Sequence, residues 1–402
     1  MAEITILGKK ILREQVSMAG YVLLATSIPF NRNMAAILLL GFALMGLFWL
    51  NRQTWNRYFS WPLLAYYGLS LVAFLWTKDK DAGLFILTKQ LPLLVVPAYF
   101  FIWGPPDANS KRWSLTGFAL SNLGLAIWTL LGAMRTFRAQ GEYKVLFYHD
   151  LAAHGNMSAL YFSLFAVFSI LIFIREVFRP GLKLWMLGLL YAAILFLVLF
   201  VVLLASRASV LALFCMFGFT LIWFWKEKQA FPFKILFFVS FFFVVLATFS
   251  IPLLNQRFKE AINHENQFTL EKVGGGTSFR FAKWKSAWAL VQENPLLGIG
   301  PGDVQEALNI RYLKDRHPQI LNLNAHNQYL QTWLGLGLPG LIFLSVAFIY
   351  LIRRRKYASI GFAIVFSICI LTESMLEIQK GILFFAFFYV LLLARPSGQK
   401  PV

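Results

Sequence analysis

Three residues far apart in the sequence have side chains suited to group transfer: His326, Arg280 and Arg207. His326 stands in Ala-His-Asn-Gln-Tyr-Leu, directly before a long apolar run. A helix that begins there disfavours a positive imidazolium, because the N-terminus of a helix carries a partial positive charge. The ring would then stay neutral and available as a base. An interfacial histidine that caps the helix is the alternative interpretation.

Both arginines border apolar sequence. Arg280 precedes an amphipathic segment, and Arg207 separates two apolar runs in Ala-Ser-Arg-Ala-Ser. An arginine near lipid is costly unless it faces a polar cavity or partner, and its planar fork fits two phosphate oxygens. This pattern favours a phosphate-bearing substrate. The alternatives are a tight surface loop for Arg207, and for Arg280 an ion pair with Glu271 or contacts with lipid headgroups.

Two acidic residues follow near the end of another apolar run. Glu373 and Glu377 are one helical turn apart and close in sequence to Lys380. They could form a second carboxylate site or a structural ion pair with Lys380, and the ion pair is the favoured interpretation.

The sequence predicts neither a metal nor a nucleotide cofactor. The other histidines have no metal-ligand spacing with each other; they are His149, His154, His264 and His317. Gly-Ile-Gly-Pro-Gly at 298–302 is predicted to be a turn, because proline breaks the geometry of a dinucleotide fingerprint and no strand precedes it.

Composition defines the class of protein that must position these residues. Of the 402 residues, 59% are hydrophobic, 17% aromatic and only 14% charged, and mean hydropathy is +0.65. These values indicate an integral membrane protein. The net charge of +19 is scattered in short clusters between apolar runs, which is typical of topogenic charge rather than of a nucleic-acid-binding groove. Cys215 and Cys369 lie inside apolar runs, so no disulfide framework is predicted.

A membrane-spanning helix needs about 20 largely apolar residues, and the sequence predicts an all-α polytopic protein with about twelve spans. They lie near 14–30, 34–50, 60–76, 83–103, 113–134, 157–174, 184–205, 208–225, 234–251, 328–350, 358–374 and 381–394. Residues 1–250 would form an N-terminal bundle, 251–327 one large loop and 328–402 the C-terminal spans. The first residues are expected to be a retained cytoplasmic or interfacial lead-in.

Charge orients this bundle. If both termini are cytoplasmic, nineteen basic residues fall in the inner loops, Lys111, Arg112 and Arg354 among them, and eight fall in the short outer loops. Because cytoplasmic loops carry the excess of Lys and Arg, the large loop is predicted on the periplasmic or external side.

The large loop is predicted to form a small helical cap docked on the bundle. Trp284, Ala287, Trp288 and Val291 share one helical face, which could lie on the membrane surface. Asp303, followed by Glu306, resembles a capping box that opens a second helix through about residue 315.

In order, these motifs resemble the O-antigen ligase/polymerase superfamily. They are Ser206-Arg207, Arg280 with Trp284, the Asn-Pro-Leu-Leu-Gly-Ile-Gly-Pro-Gly of 294–302, the His-Asn-Gln-Tyr-Leu-Gln of 326–331, the Gly-Leu-Gly-Leu-Pro-Gly of 335–340, and Thr-Glu-Ser at 372–374 before an aromatic last run. The resemblance covers about residues 200–394. The sequence departs from the family at His154, where Gly155 replaces the frequent proline.

The resemblance implies an architecture similar to C-type glycosyltransferases. It implies transfer of a glycan from undecaprenyl pyrophosphate to a lipid A-core acceptor, on the periplasmic side of the bacterial inner membrane, without metal or cofactor. His326 would be the catalytic residue, with Arg207 and Arg280 on the pyrophosphate. Asn327, Trp284 and Glu373 would support them.

Other functions stay open at this point. A polysaccharide polymerase or an O-oligosaccharyltransferase would use the same donor with a second lipid-linked glycan or a protein as acceptor. A lipid or glycan transporter usually places charges near mid-membrane in paired broken helices, whereas polarity here is concentrated in one loop. A purely structural or assembly protein would not need all three of these side chains on one side of the membrane.

Overall fold

The computed structural model describes residues 3–6, 9–30, 32–48, 60–226 and 277–394. Within these ranges the protein is built almost entirely of α-helices. The helices are α1 (Arg13–Ser27), α2 (Arg32–Leu47), α3 (Trp61–Ala73), α4 (Lys80–Gln90), α5 (Pro92–Trp103), α6 (Ala108–Gln140), α7 (Tyr148–Ala153), α8 (Ala159–Val177), α9 (Leu184–Leu203), α10 (Arg207–Lys226), α11 (Thr277–Glu293), α12 (Val304–Lys314), α13 (Gln328–Arg353), α14 (Tyr357–Cys369) and α15 (Gln379–Leu393).

One short hairpin departs from the expected all-α fold. Strand β1 (Glu3–Ile6) pairs antiparallel with β2 (Lys9–Leu12), with Glu3 opposite Leu12. Isoleucine and threonine favour an extended backbone. The second strand ends directly where α1 begins.

Among the described residues, six helical segments are long and apolar enough to cross a membrane, judged by length and composition. They are Lys80–Trp103, Ala108–Gln140, Ala159–Val177, Leu184–Leu203, Arg207–Trp225 and Gln328–Arg353. Shorter apolar helices lie at Asn33–Leu47, Trp61–Ala73, Tyr357–Cys369 and Gln379–Leu393. The predicted span at 234–251 lies outside the described residues, so the number of twelve spans stays a prediction.

Helix α15 forms the centre of the bundle. It is apolar on all sides, as expected of a helix surrounded by protein, and its residues from Gly381 to Leu392 are buried. Its phenylalanines contact aromatic rings of five neighbouring helices, α5, α6, α8, α13 and α14. Phe384 lies 4.6 Å from Phe165 and Phe388 lies 4.7 Å from Phe118 between ring centroids. Phe385 stacks on Phe366 at 4.6 Å. This packing fixes the segment that leads into α15, which carries Glu373.

The described part of the large loop forms a small helical unit with its own core. Ala287, Val291, Leu308 and Tyr312, from α11 and α12, are buried together with Leu334 of α13. The predicted amphipathic helix is confirmed, but its apolar face lies against these helices. Trp288, at the edge of the face, is 45% exposed.

Asp303 joins this unit to the bundle. Its carboxylate accepts backbone N–H bonds from Lys78 and Asp79, both at 2.8 Å. Helix α12 does start after Asp303, but the predicted capping box is wrong, because that side chain makes no bond to its own helix. The carboxylate instead links α12 to the turn before α4.

Basic residues gather at the bundle end opposite Asp303. Lys111 Nζ and Arg354 Nη2 both bond the backbone oxygen of Ala394, at 3.3 and 3.2 Å, just after α15. Beside them Arg112 pairs with Glu176 at 2.8 Å. These cations were all assigned to inner loops from the sequence. The contacts therefore group them at one end, as that assignment requires.

Candidate active site

His326 lies in the last turn of the loop before α13. The N-cap of this helix is Asn327, whose side chain accepts N–H bonds from Tyr329 at 2.9 Å and Leu330 at 3.2 Å. Because Asn327 satisfies these helix-terminal donors, the imidazole of His326 does not cap the helix. It is free for other interactions.

The backbone of His326 is held in a left-handed conformation, with φ of 46°. This region is unfavourable for a residue other than glycine and persists where surrounding contacts enforce it. Here Asn324 Oδ1 accepts the N–H of His326 at 3.0 Å, and the Trp284 indole donates to its carbonyl oxygen at 3.2 Å. Trp284 therefore orients the histidine through its main chain.

The imidazole contacts a carboxylate. His326 Nδ1 lies 3.1 Å from Glu373 Oε2, and the two side chains are 24% and 17% exposed. The predicted ion pair of Lys380 with the nearby acidic residues is wrong, because Lys380 Nζ bonds the carbonyl oxygens of Pro29 and Phe30, each at 3.1 Å. It satisfies carbonyls just after α1, while Glu373 serves His326.

The protonation of this pair follows from its surroundings. Burial raises the pKa of Glu373, but the hydrogen bond and charge of His326, the Ser374 N–H and the charge of Arg280 outweigh it, so the pKa lies below its ordinary value. An ionised carboxylate only accepts hydrogen bonds, so His326 Nδ1 must carry the hydrogen that points at Glu373. When the ring is neutral, Nε2 is left with a free lone pair.

Gln328 fixes the histidine-bearing turn to the glutamate-bearing segment. Its backbone N–H donates to Ile370 O at 2.8 Å, and its side-chain oxygen accepts the N–H of Leu376 at 2.7 Å. Its amide nitrogen donates to Thr332 Oγ1 at 3.1 Å, and this hydroxyl also contacts Tyr66 OH at 2.9 Å. The side chain is fully buried, so these bonds are shielded from water.

Arg280 lies in the first turns of α11, on the same helix as Trp284. Its positive charge helps to lower the pKa of Glu373. The alternative partner Glu271 lies outside the described residues. Arg280 is partly exposed, so it can present its fork to a ligand.

Arg207 is the first residue of α10 and is partly exposed. The far part of α10 contacts the start of α14, where Thr220 Oγ1 lies 2.8 Å from Tyr357 OH, and α14 ends at Cys369, only a few residues before Glu373. Arg207 therefore lies at the bundle end that carries the site. Its convergence with His326 on one substrate stays a prediction.

The two glycine-rich motifs meet each other. The N–H of Ile299 donates to Leu334 O at 2.8 Å, and that of Gly300 to Gly335 O at 3.2 Å. These carbonyls are accessible because α13 is interrupted at Gly337, with φ of 67° and ψ of −166°. The predicted turn is confirmed, and it packs against α13 at the break in that helix, which begins beside His326.

Sequence reasoning missed Lys283. This residue is only 5% exposed and follows Arg280 by three positions on α11. Burial lowers its pKa to about 8, while the charge of Glu373 raises it and that of Arg280 lowers it. The helical spacing from Arg280 was the available signal. His154, whose role the sequence left in doubt, packs against Gly132 of α6.

Fold and site together define a multi-pass helical membrane protein with a histidine–carboxylate pair at one end of its bundle. Residues 191–345 match the O-antigen ligase family, a range that includes Arg207, Arg280 and His326. This match supports the resemblance to the O-antigen ligase-like superfamily that the motifs predicted. No curated protein matches the sequence.

Proposed function

We propose that this protein is a glycosyltransferase of the O-antigen ligase type. It moves a glycan from undecaprenyl pyrophosphate to a lipid A-core acceptor at the periplasmic face of the inner membrane. The observation that carries the proposal is the contact of His326 Nδ1 with Glu373 at 3.1 Å, within range of the charge of Arg280. A base beside a cation suits attack on a phosphate-activated sugar.

In the proposed reaction the acceptor hydroxyl attacks the anomeric carbon of the donor sugar. Nε2 of His326 takes the hydroxyl proton as the new C–O bond forms, while Glu373 stabilises the imidazolium. The bond from the anomeric carbon to the pyrophosphate oxygen breaks, and its electron pair leaves with undecaprenyl pyrophosphate. A single displacement of this kind inverts the configuration of the sugar.

The leaving group gains negative charge as that bond breaks. Positive groups placed beforehand stabilise such charge most effectively, because they need no rearrangement during the reaction. We assign this role to Arg280 and Arg207. Lysine keeps the charge but lacks the planar fork, so Arg280→Lys and Arg207→Lys should each lower transfer, whereas full activity of both variants would leave them only a headgroup-anchoring role.

The acceptor is tested directly with the purified protein. It is supplied with undecaprenyl pyrophosphate-linked glycan and, in separate reactions, with lipid A-core, a second lipid-linked glycan or an acceptor protein. We expect lipid A-core to gain the mass of the glycan. A gain on the second lipid-linked glycan would identify a polymerase and a gain on the protein an O-oligosaccharyltransferase, while no gain on any acceptor would refute glycan transfer.

A further inference from the structure

Lys283 is a buried lysine beside the candidate site. It is 5% exposed, and α11 places it one turn after Arg280 and next to Trp284, whose indole bonds the His326 carbonyl oxygen at 3.2 Å. Residues three and four apart share one side of a helix. Arg280, Lys283 and Trp284 are therefore neighbours on the part of α11 that adjoins the histidine.

The carboxylate that acts on Lys283, Glu373, already bonds His326. Glu373 influences Lys283 electrostatically, but its Oε2 bonds His326 Nδ1, and Lys283 forms no ion pair or hydrogen bond among the residues that the structure describes. Arg280 adds a second positive charge close by. Burying an ammonium group without a partner is costly, and such groups normally occur where an anion or a hydrogen-bond acceptor satisfies them.

We propose that Lys283 binds the pyrophosphate of the lipid-linked donor together with Arg280. This inference rests on the proposed function and adds a residue to its donor site. The two cations differ in kind. A guanidinium presents a planar fork to two oxygens, whereas an ammonium is a compact charge on a flexible stem that can adjust to a change in the charge of the phosphate oxygens. A diphosphate diester that becomes a free diphosphate monoester gains charge on one oxygen. Lys283 supplies the third positive side chain, after Arg207 and Arg280, that can meet it.

A purely structural role predicts the opposite response to mutation. If Lys283 only filled space in the core of α11 and α12, Lys283→Met would keep its volume and remove a buried charge. Replacing buried charge by a well-packed apolar side chain is often neutral or stabilising. Lys283→Met should therefore lower donor affinity without lowering the stability of the protein.

The test uses the full-length protein in lipid nanodiscs. Variants Lys283→Met and Lys283→Arg are compared with Lys285→Met, which removes an exposed lysine from the same helix. Measurements are the equilibrium affinity for undecaprenyl pyrophosphate, the donor and acceptor KM of glycan transfer, and the thermal midpoint. We expect Lys283→Met to lose donor affinity about tenfold or more, with the acceptor KM kept and the thermal midpoint not lowered. Lys283→Arg should restore part of the affinity, and Lys285→Met should match the wild type.

Wild-type affinity for undecaprenyl pyrophosphate in Lys283→Met would overturn the inference. A weakened affinity that appears only with a lowered thermal midpoint, in both Lys283→Met and Lys283→Arg, would also overturn it. The binding measurement separates this inference from the proposed function. The wild type could bind undecaprenyl pyrophosphate and transfer no glycan, while Lys283→Met binds it more weakly. In that case the proposed function fails and the lysine site stands.

Discussion

Glu373 gives His326 a fixed direction and a defined proton. The carboxylate contacts Nδ1, so Nε2 is the nitrogen that can face an acceptor hydroxyl. The left-handed backbone at His326 and its contacts with Asn324 and Trp284 hold this arrangement before any substrate binds. Such preorganisation matters because a general base works only within hydrogen-bond reach of its proton.

His326→Ala should lower the rate of glycan transfer by about 10²- to 10⁴-fold, the usual contribution of a positioned base. Glu373→Gln keeps the shape but removes the charge that stabilises the imidazolium, so we expect a smaller loss, on the order of 10²-fold. Initial rates at saturating donor and acceptor measure both. His317→Ala, on the loop outside the pair, is the control and should be near wild type. Near wild-type turnover in His326→Ala would remove the residue from this role.

Lys283 predicts a pH dependence of donor use. Burial lowers its pKa to about 8, so the ammonium is present below that pH and is lost as the pH rises through it. Glu373 and Arg280 are the charged groups that act on Lys283. We therefore expect kcat/KM for the donor to fall above about pH 8 in the wild type, because this parameter reports groups of the free enzyme. Lys283→Arg should keep its value there, and an unchanged fall in that variant would contradict the assignment.

The same residue makes a stability prediction of defined sign. The lowered folded-state pKa means that the unfolded chain binds more protons between about 8 and 10.5, the ordinary lysine value. Stability should therefore rise with pH across this window. Thermal midpoints of the wild type and Lys283→Met, measured from pH 7 to 10, should converge as the pH rises.

At the scale of the elements, α13 is the helix on which the site depends. It starts beside His326, breaks at Gly337 and receives the 295–302 segment in the break, where Leu338 N bonds Pro295 O at 3.0 Å. A Cβ on Gly337 would lie 2.1 Å from the Leu296 carbonyl oxygen, and one on Gly298 would lie 2.6 Å from the Gly337 nitrogen. Two backbones cross here with no room for side chains.

Gly337→Ala should destabilise the protein. Its backbone angles lie in a region that only glycine adopts readily, and the strain alone costs about 1–3 kcal/mol. Thermal unfolding in detergent measures the effect, and glycan transfer should fall with it. Gly124→Ala is the matched control, because this helical glycine has nothing within 4 Å of the added methyl group. An equally small effect of both substitutions would mean that the crossing is not rigid.

The sequence predicted elements better than it predicted their partners. Local periodicity was enough for α11, because an amphipathic pattern repeats within the helix itself. Lys380 was paired with its acidic neighbours in sequence, yet its nitrogen bonds carbonyls at Pro29 and Phe30, and Glu373 belongs to His326. Such contacts depend on how distant helices pack. Asp303 was misassigned for the same reason, because its carboxylate accepts hydrogen bonds from N–H groups of the turn before α4.

For the whole molecule, the remaining prediction is its orientation. Lys111, Arg112 and Arg354 gather around the end of α15, whereas His326 and Glu373 lie before its beginning, so the site and the basic cluster occupy opposite ends of one central helix. Cytoplasmic loops carry the excess of Lys and Arg. The end with the site is therefore predicted to face the periplasm, where a lipid-linked donor would have to be presented.

Single cysteines test this orientation. In a background with Cys215→Ser and Cys369→Ala, Lys285→Cys marks α11 near the site and Lys356→Cys marks the start of α14 at the basic end; both positions are exposed. A membrane-impermeant maleimide applied to spheroplasts should label Lys285→Cys at once and Lys356→Cys only after lysis. Because the two positions serve as controls for each other, unequal expression or reactivity does not mimic the result. Labelling of Lys356→Cys alone in intact spheroplasts would place the histidine–carboxylate pair in the cytoplasm and would rule out the proposed periplasmic transfer.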